Sequence, residues 1–194
     1  MSGTSKSKED RQVGVDLGLT EDERKQLREI ARTVIEHRID NRRPPSFEAA
    51  TERLKEKRGA FVTVHKGSQL RGCIGNIRGR EPLYQTVARM AEEAAFNDPR
   101  FPPLSKEELD DIDIEISALT PLKKIERLEE ITVGKHGIYV EKGFFSGLLL
   151  PQVATEQGWD RQTFLEQTCF KAGLYKDAWK EKDTKIYVFS ADVF

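Results

Sequence analysis

The stretch Phe61-Val-Thr-Val-His-Lys-Gly-Ser-Gln-Leu-Arg-Gly-Cys-Ile-Gly75 sets two β-rich runs on either side of a turn signal, Gly67-Ser68. That pattern predicts an antiparallel hairpin, residues 60–65 against 69–75. Alternate residues of a strand share a face. Leu70, Gly72 and Ile74 are therefore expected toward a core, and Arg71, Cys73 and Gly75 toward the opposite side. The hairpin decides the fold class because nothing around it supplies a regular βαβ rhythm.

Upstream, Thr20-x-x-Glu23 is a capping box ahead of Leu27, Ile30, Ala31, Val34, Ile35 and Ile39, which follow helical spacing. This helix is expected to stop before Pro44-Pro45, since Pro45 keeps Pro44 out of the α region. A second, shorter helix fits around Phe47 to Lys57. Downstream, Pro82 suits a helix start, with Leu83, Val87, Met90, Ala91 and Ala94 on one face. Prolines 99, 102 and 103 make residues 97–103 irregular. Ser105-x-x-Glu108 opens a short helix, and Ile112, Ile114 and Ile116 alternate with polar residues as in a half-buried strand. Short strands are expected at Ile138–Glu141, at Gly147–Leu150 (ended by Pro151) and from Lys185 to Ser190. Phe164, Leu165, Thr168, Cys169 and Ala172 mark a helix with Gly173 as its closing residue. Hairpins mixed with helices indicate an α+β fold, a mixed or antiparallel sheet flanked by helices.

The composition suits a packed core: 37% of the 194 residues are apolar, ten of them Phe. A net charge of −1 gives no global signature for nucleic acid or an anionic membrane. The charge is uneven, however. From Arg53 to Arg80 eight Lys/Arg face one Glu, a balance of +7, and from Glu107 to Glu130 nine Asp/Glu face three Lys/Arg, a balance of −6. Two solvated faces account for this, as does RNA binding through the basic stretch, although no aromatic stacking platform accompanies it. Residues 1–16 read as a polar flexible tail without the apolar core of a signal peptide. No apolar run approaches a membrane span. Two distant cysteines make no disulfide framework, which fits a reducing cytoplasm.

The strand at 70–75 is where chemistry concentrates. Arg71 lies two residues from Cys73 on the expected outer face, and a nearby guanidinium favours thiolate over thiol. Gly72 and Gly75 allow a backbone or a ligand to come close. The same cysteine also fits as a small apolar residue under a helix. His136, in a loop before a strand, suits a general base toward Cys73 or a solvated loop histidine. Asp98 suits an orienting carboxylate, a partner for Arg71, or an Asx-type turn. Gln152 follows Pro151 at a strand end, as a lining residue or an ordinary loop residue. Cys169 falls on the apolar stripe of its helix and reads as core. The cysteines and histidines show no metal-ligand spacing, no cofactor is implied, and Gly72-x-x-Gly75 is too short and β-like for a phosphate cradle.

Leu70-Arg-Gly-Cys-Ile-Gly75 resembles the signature of the AMMECR family. Arg58-Gly-Ala-Phe-Val-Thr63, Asp98-Pro-Arg-Phe101, Gly134-Lys-His-Gly137, Gly147-Leu-Leu-Leu-Pro-Gln-Val-Ala154, Trp159 and Cys169-x-Lys-Ala-Gly-Leu174 follow in the expected order. The resemblance covers residues 17–194. It implies a cytosolic domain of a larger and a smaller lobe, with the signature beside a cleft between them. With the signature beside that cleft, Arg71, Gly72, Gly75, Asp98, Arg100 and Gln152 are the expected binding residues. It further implies a modification pathway, because similar domains are fused or genomically adjacent to a Memo-like domain and a radical-SAM protein. The functional expectation is a ligand- or partner-binding component of that pathway, the ligand a small anion. The alternative is an enzyme with Cys73 as nucleophile, Arg71 stabilising negative charge and His136 as base.

Overall fold

The computed structural model describes residues 18–194, so the expected tail at 1–16 lies outside the described residues. The chain divides into two compact units. One runs up to Lys123 and includes Phe194; the other holds Lys124–Val193.

In the first unit α1 (Glu21–Ile39) begins at the expected capping box. Thr20 Oγ1 accepts from Glu23 N–H at 3.2 Å, and Glu23 Oε2 accepts from Thr20 N–H at 2.8 Å. The helix ends earlier than the prolines require. Asn41, at φ 54, takes the left-handed conformation that asparagine tolerates, and Arg42 N–H reaches back to His37 O. The helix expected at 47–57 shrinks to α2 (Glu52–Lys55), because Leu54 is the one residue there that buries fully in the core, with Ala49 packing at its margin. β1 (Ala60–Lys66) and β2 (Gln69–Asn76) form the expected antiparallel hairpin, turning at Gly67 with φ 58. After α3 (Leu83–Phe96) and a 3₁₀ turn at Lys106–Asp111, β3 (Ile112–Leu119) pairs antiparallel with β1. Leu27, Ala31 and Ile35 of α1 and Leu83, Val87, Met90 and Ala94 of α3 bury themselves in one core with Val62, Val64 and Ile116.

The face assignment on β2 needs one correction. Val64 pairs with Gly72 but His65 pairs with Leu70, so Arg71 is an extra, bulged residue. A bulge shifts the alternation by one. Leu70, expected in the core, is instead 40% exposed beside His65. Gly72 and Ile74 keep their expected side: Gly72 lies against α3, and Ile74 packs on the core.

The second unit is built on β5 (Gly137–Lys142), β6 (Phe145–Leu149) and β7 (Lys185–Phe189), with the two-residue β4 (Lys123–Lys124) on one edge; the order is β4-β7-β5-β6. β8 (Ala191–Val193) completes the first sheet, in the order β2-β1-β3-β8. Pro151 both ends the β6 region and opens α4 (Pro151–Glu156). α5 (Arg161–Lys171) buries Phe164, Leu165 and Cys169 against Ile138, Val140 and Val188. It closes as expected on Gly173, at φ 77, with Gly173 N–H to Phe170 O and Leu174 N–H to Cys169 O. The fold is α+β with two antiparallel sheets and flanking helices.

Candidate functional site

β2 is an end strand of its sheet, so half of its backbone groups face away from β1. Two side-chain clamps tie that edge to the irregular segment that follows α3, one reaching in from the segment to Cys73 and one reaching out from β2. At the first, Asp98 is almost fully buried, and its Oδ2 accepts from Cys73 N–H at 2.9 Å. Arg100 holds the same carboxylate through its backbone N–H, Nε and Nη2 at 3.1, 2.9 and 2.6 Å. Arg100 Nη2 also donates to Cys73 O at 3.2 Å. The hydrogen bonds from Arg100, helped by the Cys73 and Arg100 N–H groups, hold the Asp98 carboxyl far below the usual carboxylate range against the opposing effect of burial.

The second clamp is Arg71. Its Nε and Nη2 form a bidentate pair with Glu108 at 3.0 and 2.9 Å. Nη1 and Nη2 also donate to Pro102 O and Pro103 O at 2.9 and 3.3 Å. These residues lie outside any strand, so no ladder partner reaches their carbonyls and the guanidinium satisfies them instead. Glu108 is the third helical residue of its capping box and also accepts from Ser105 N–H at 3.1 Å. Its carboxyl is drawn down to about 2, first by the Arg71 hydrogen bond.

The thiol environment differs from the expected one. Arg71 points along the sheet edge to Glu108, so the guanidinium near Cys73 is that of Arg100. Cys73 is half-buried, and Thr63, its cross-strand partner, donates Oγ1–H to Sγ at 3.3 Å. Burial pushes the Cys73 thiol up, outweighing both that hydrogen bond and the Arg100 charge. Cys169 is fully buried, as expected of core, and its thiol is pushed up for the same first reason.

The glycines are filled from within the protein. A Cβ on Gly72 would overlap Ala94 O of α3, and one on Gly75 would overlap the Phe61 ring. The outer face of the hairpin and β3 therefore carries two cross-strand rows, Cys73–Thr63–Glu115 and Gly75–Phe61–Ser117. Ser117 Oγ in the second row is buried without a hydrogen-bond partner among the described residues.

Arg71, Gly72, Cys73, Gly75, Asp98 and Arg100 are thus brought together in the first unit. His136 and Gln152 belong to the second unit. There His136 Nδ1 accepts from Thr132 N–H at 3.2 Å, and Gln152 Oε1 is buried without a hydrogen-bond partner among the described residues. Residue patterns did not single out Thr63 or Glu108 as site residues. Glu108 is visible as a cap, but nothing local announces a partner 37 positions away. Among the described residues no group of three or more His, Cys, Asp or Glu is placed to hold a metal ion, and no helix is long and apolar enough to cross a membrane.

The family described as AMMECR1 matches residues 28–194. A protein of Nanoarchaeum equitans, NEQ441, is 45% identical over 175 residues, spanning 87% of this chain and 97% of that protein. A protein of Thermococcus gammatolerans is 47% identical over 178 residues, spanning 85% of this chain and 86% of its own length. The crystal structure of protein PH0010 from Pyrococcus horikoshii superposes with a TM-score of 0.80 at 42% identity, covering 86% of this chain and 88% of that one.

Proposed function

The chain belongs to the AMMECR1 family, and from that premise and the geometry at Cys73 we propose that it is a cytoplasmic ligand- or partner-binding domain rather than a cysteine nucleophile. The observation that carries this reading is the Cys73 thiol, raised by burial and hydrogen-bonded by a hydroxyl rather than by a base. A nucleophilic cysteine requires the opposite, a lowered pKa or an adjacent general base. The binding surface of this reading is the face around the half-buried Cys73 and Phe61, over the buried Thr63. Its cation for a small anionic ligand is Arg100. The Arg100 side chain is 53% exposed, and its Nη1 makes no bond among the described residues. Arg71 is excluded from that role by Glu108 and two carbonyls. The family resemblance supplies the setting, a modification pathway shared with a Memo-like protein and a radical-SAM protein.

Two measurements test the reading. In a thermal-shift screen of anionic metabolites, Cys73→Ser is expected to retain the ligand-induced rise in Tm, while Arg100→Gln loses it relative to its own ligand-free Tm. Alkylation of the native protein is expected to label Cys73 faster than the buried Cys169. The Cys73 rate should still be slow at neutral pH and climb only above the ordinary thiol range of about 8.5. Rapid labelling of Cys73 at pH 6, or a covalent adduct on it during turnover, would reverse the assignment in favour of an enzyme.

A further inference from the structure

The two sheets treat their exposed edges differently. The edge of β2 is closed at Cys73 by Asp98 and Arg100. β6 is the end strand of the second sheet, and among the described residues no side chain bonds to its outward backbone groups. Its hairpin turns on Gly143-Phe144, with Gly143 at φ 56 as a II′-type turn requires, and Lys142 pairs with Phe145 across it. In that register Phe145, Gly147 and Leu149 direct their backbone groups to β5. The N–H and C=O of Ser146 and Leu148 then point to the open side. Neither residue has a backbone partner there among the described residues.

The same place gathers exposed aromatic surface. Of the five large exposed hydrophobic residues described, four lie here: Phe144 at 107% exposure, Phe145 at 55%, Phe170 at 54% and Tyr175 at 57%. Phe145 lies against Gly173, the closing residue of α5, between Phe170 and Tyr175 in sequence. Lys142, the cross-strand neighbour of Phe145, sets its ammonium 5.9 Å from the Tyr175 ring centroid. The strand itself, Phe145-Ser-Gly-Leu-Leu149, carries no Lys, Glu or Pro, the residues that usually blunt an open edge.

We propose that this edge pairs with the β6 edge of a second copy of the chain, antiparallel, with Gly147 on the two-fold axis. The strand is self-complementary in that register. Ser146 faces Leu148 of the second copy, and Leu148 faces its Ser146. Each pair closes both of its outward N–H···O=C bonds, so no edge group is left open. Gly147 brings no side chain to the axis, the place of its Cβ being taken by the Ala172 backbone at the end of α5 of the same copy, and Phe145 falls beside Leu149 of the second copy. At roughly 150–250 Å² per aromatic side chain, the exposed fractions of the four rings supply about 400–700 Å² per copy. That is half or more of the roughly 800 Å² per partner in a standard-size interface, before the strands themselves are counted.

Sedimentation velocity of the full chain over a rising concentration series tests the pairing. The expected result is a shift from one to two chain masses in the micromolar range. Ser146→Pro removes an outward N–H that makes no bond among the described residues, so the monomer should fold and the dimer should be lost. Should the proline disturb folding by circular dichroism, Phe144→Glu with Phe170→Glu, both at exposed positions, is expected to weaken association at least tenfold. A wild-type chain that stays monomeric throughout overturns the proposal. So does a dimer that every correctly folded variant forms as well as wild type.

Discussion

At Glu108 one carboxylate serves a capping box and a bidentate arginine, and that double role makes it sensitive to acid. Its folded pKa lies at about 2, below the ordinary glutamate value, so the group contributes stability that is complete above the unfolded pKa. That contribution is lost as pH falls from about 4.3 toward 2. Asp98, drawn further down by Arg100, acts in the same direction at still lower pH. Denaturant unfolding measured from pH 5 to pH 2 should therefore show a steep acid loss in wild type. In Glu108→Gln that loss should be shallower, with about 1.5–3 kcal/mol less stability at neutral pH, the range for a hydrogen bond to a charged group. An acid limb unchanged by the substitution would mean that Arg71 is held elsewhere. The residue types of this site are legible in the sequence, because an arginine, a cysteine and two glycines so close together are unusual. Their directions are not. The alternation of a strand carries no mark of a bulge, and the partner that turns Arg71 away from Cys73 lies in another element.

Among the elements, the hairpin of β1 and β2 and the helices α1, α3 and α5 are legible because each carries its own punctuation: Thr20 and Glu23, Pro82, Gly67, Gly173. The region 47–57 is less so, since a short segment with a single fully buried residue, Leu54, has little to hold a helix. What joins β2 to α3 is close backbone approach at Gly72, where an added Cβ would overlap a main-chain oxygen. A carbonyl within a helix cannot step aside, so β2 and α3 must separate. Gly72→Ala is expected to cost about 1–3 kcal/mol or more, the scale of overpacking. Gly75→Ala should cost less, because the obstacle is the half-buried Phe61 ring rather than backbone. Denaturant midpoints of the two variants order them directly; equal losses would show that α3 is free to yield.

For the whole molecule, the positive stretch from Arg53 to Arg80 is the feature that sequence and structure weigh differently. Read along the chain it has a balance of +7 and invites RNA binding. In the folded first unit much of that charge is answered locally. Arg53 pairs with Glu23, Arg58 with Glu56, and Lys66 and Arg71 share Glu108. Two of these carboxylates, Glu23 and Glu108, come from outside the stretch, so a linear charge count overlooks them. Neutralising phosphates would require these cations to leave their pairs, which removes the counterion-release gain on which RNA binding depends. Fluorescence anisotropy with a labelled single-stranded RNA at low salt should therefore show only weak binding. Its affinity should vary little with salt, with a logarithmic slope that corresponds to about one or two phosphates rather than the six to ten of a dedicated nucleic-acid surface. A steep slope would mean that Arg78 and Arg80, together with the other cations of the stretch, form a binding face after all. In that case Arg78→Ala with Arg80→Ala should reduce the slope by about two.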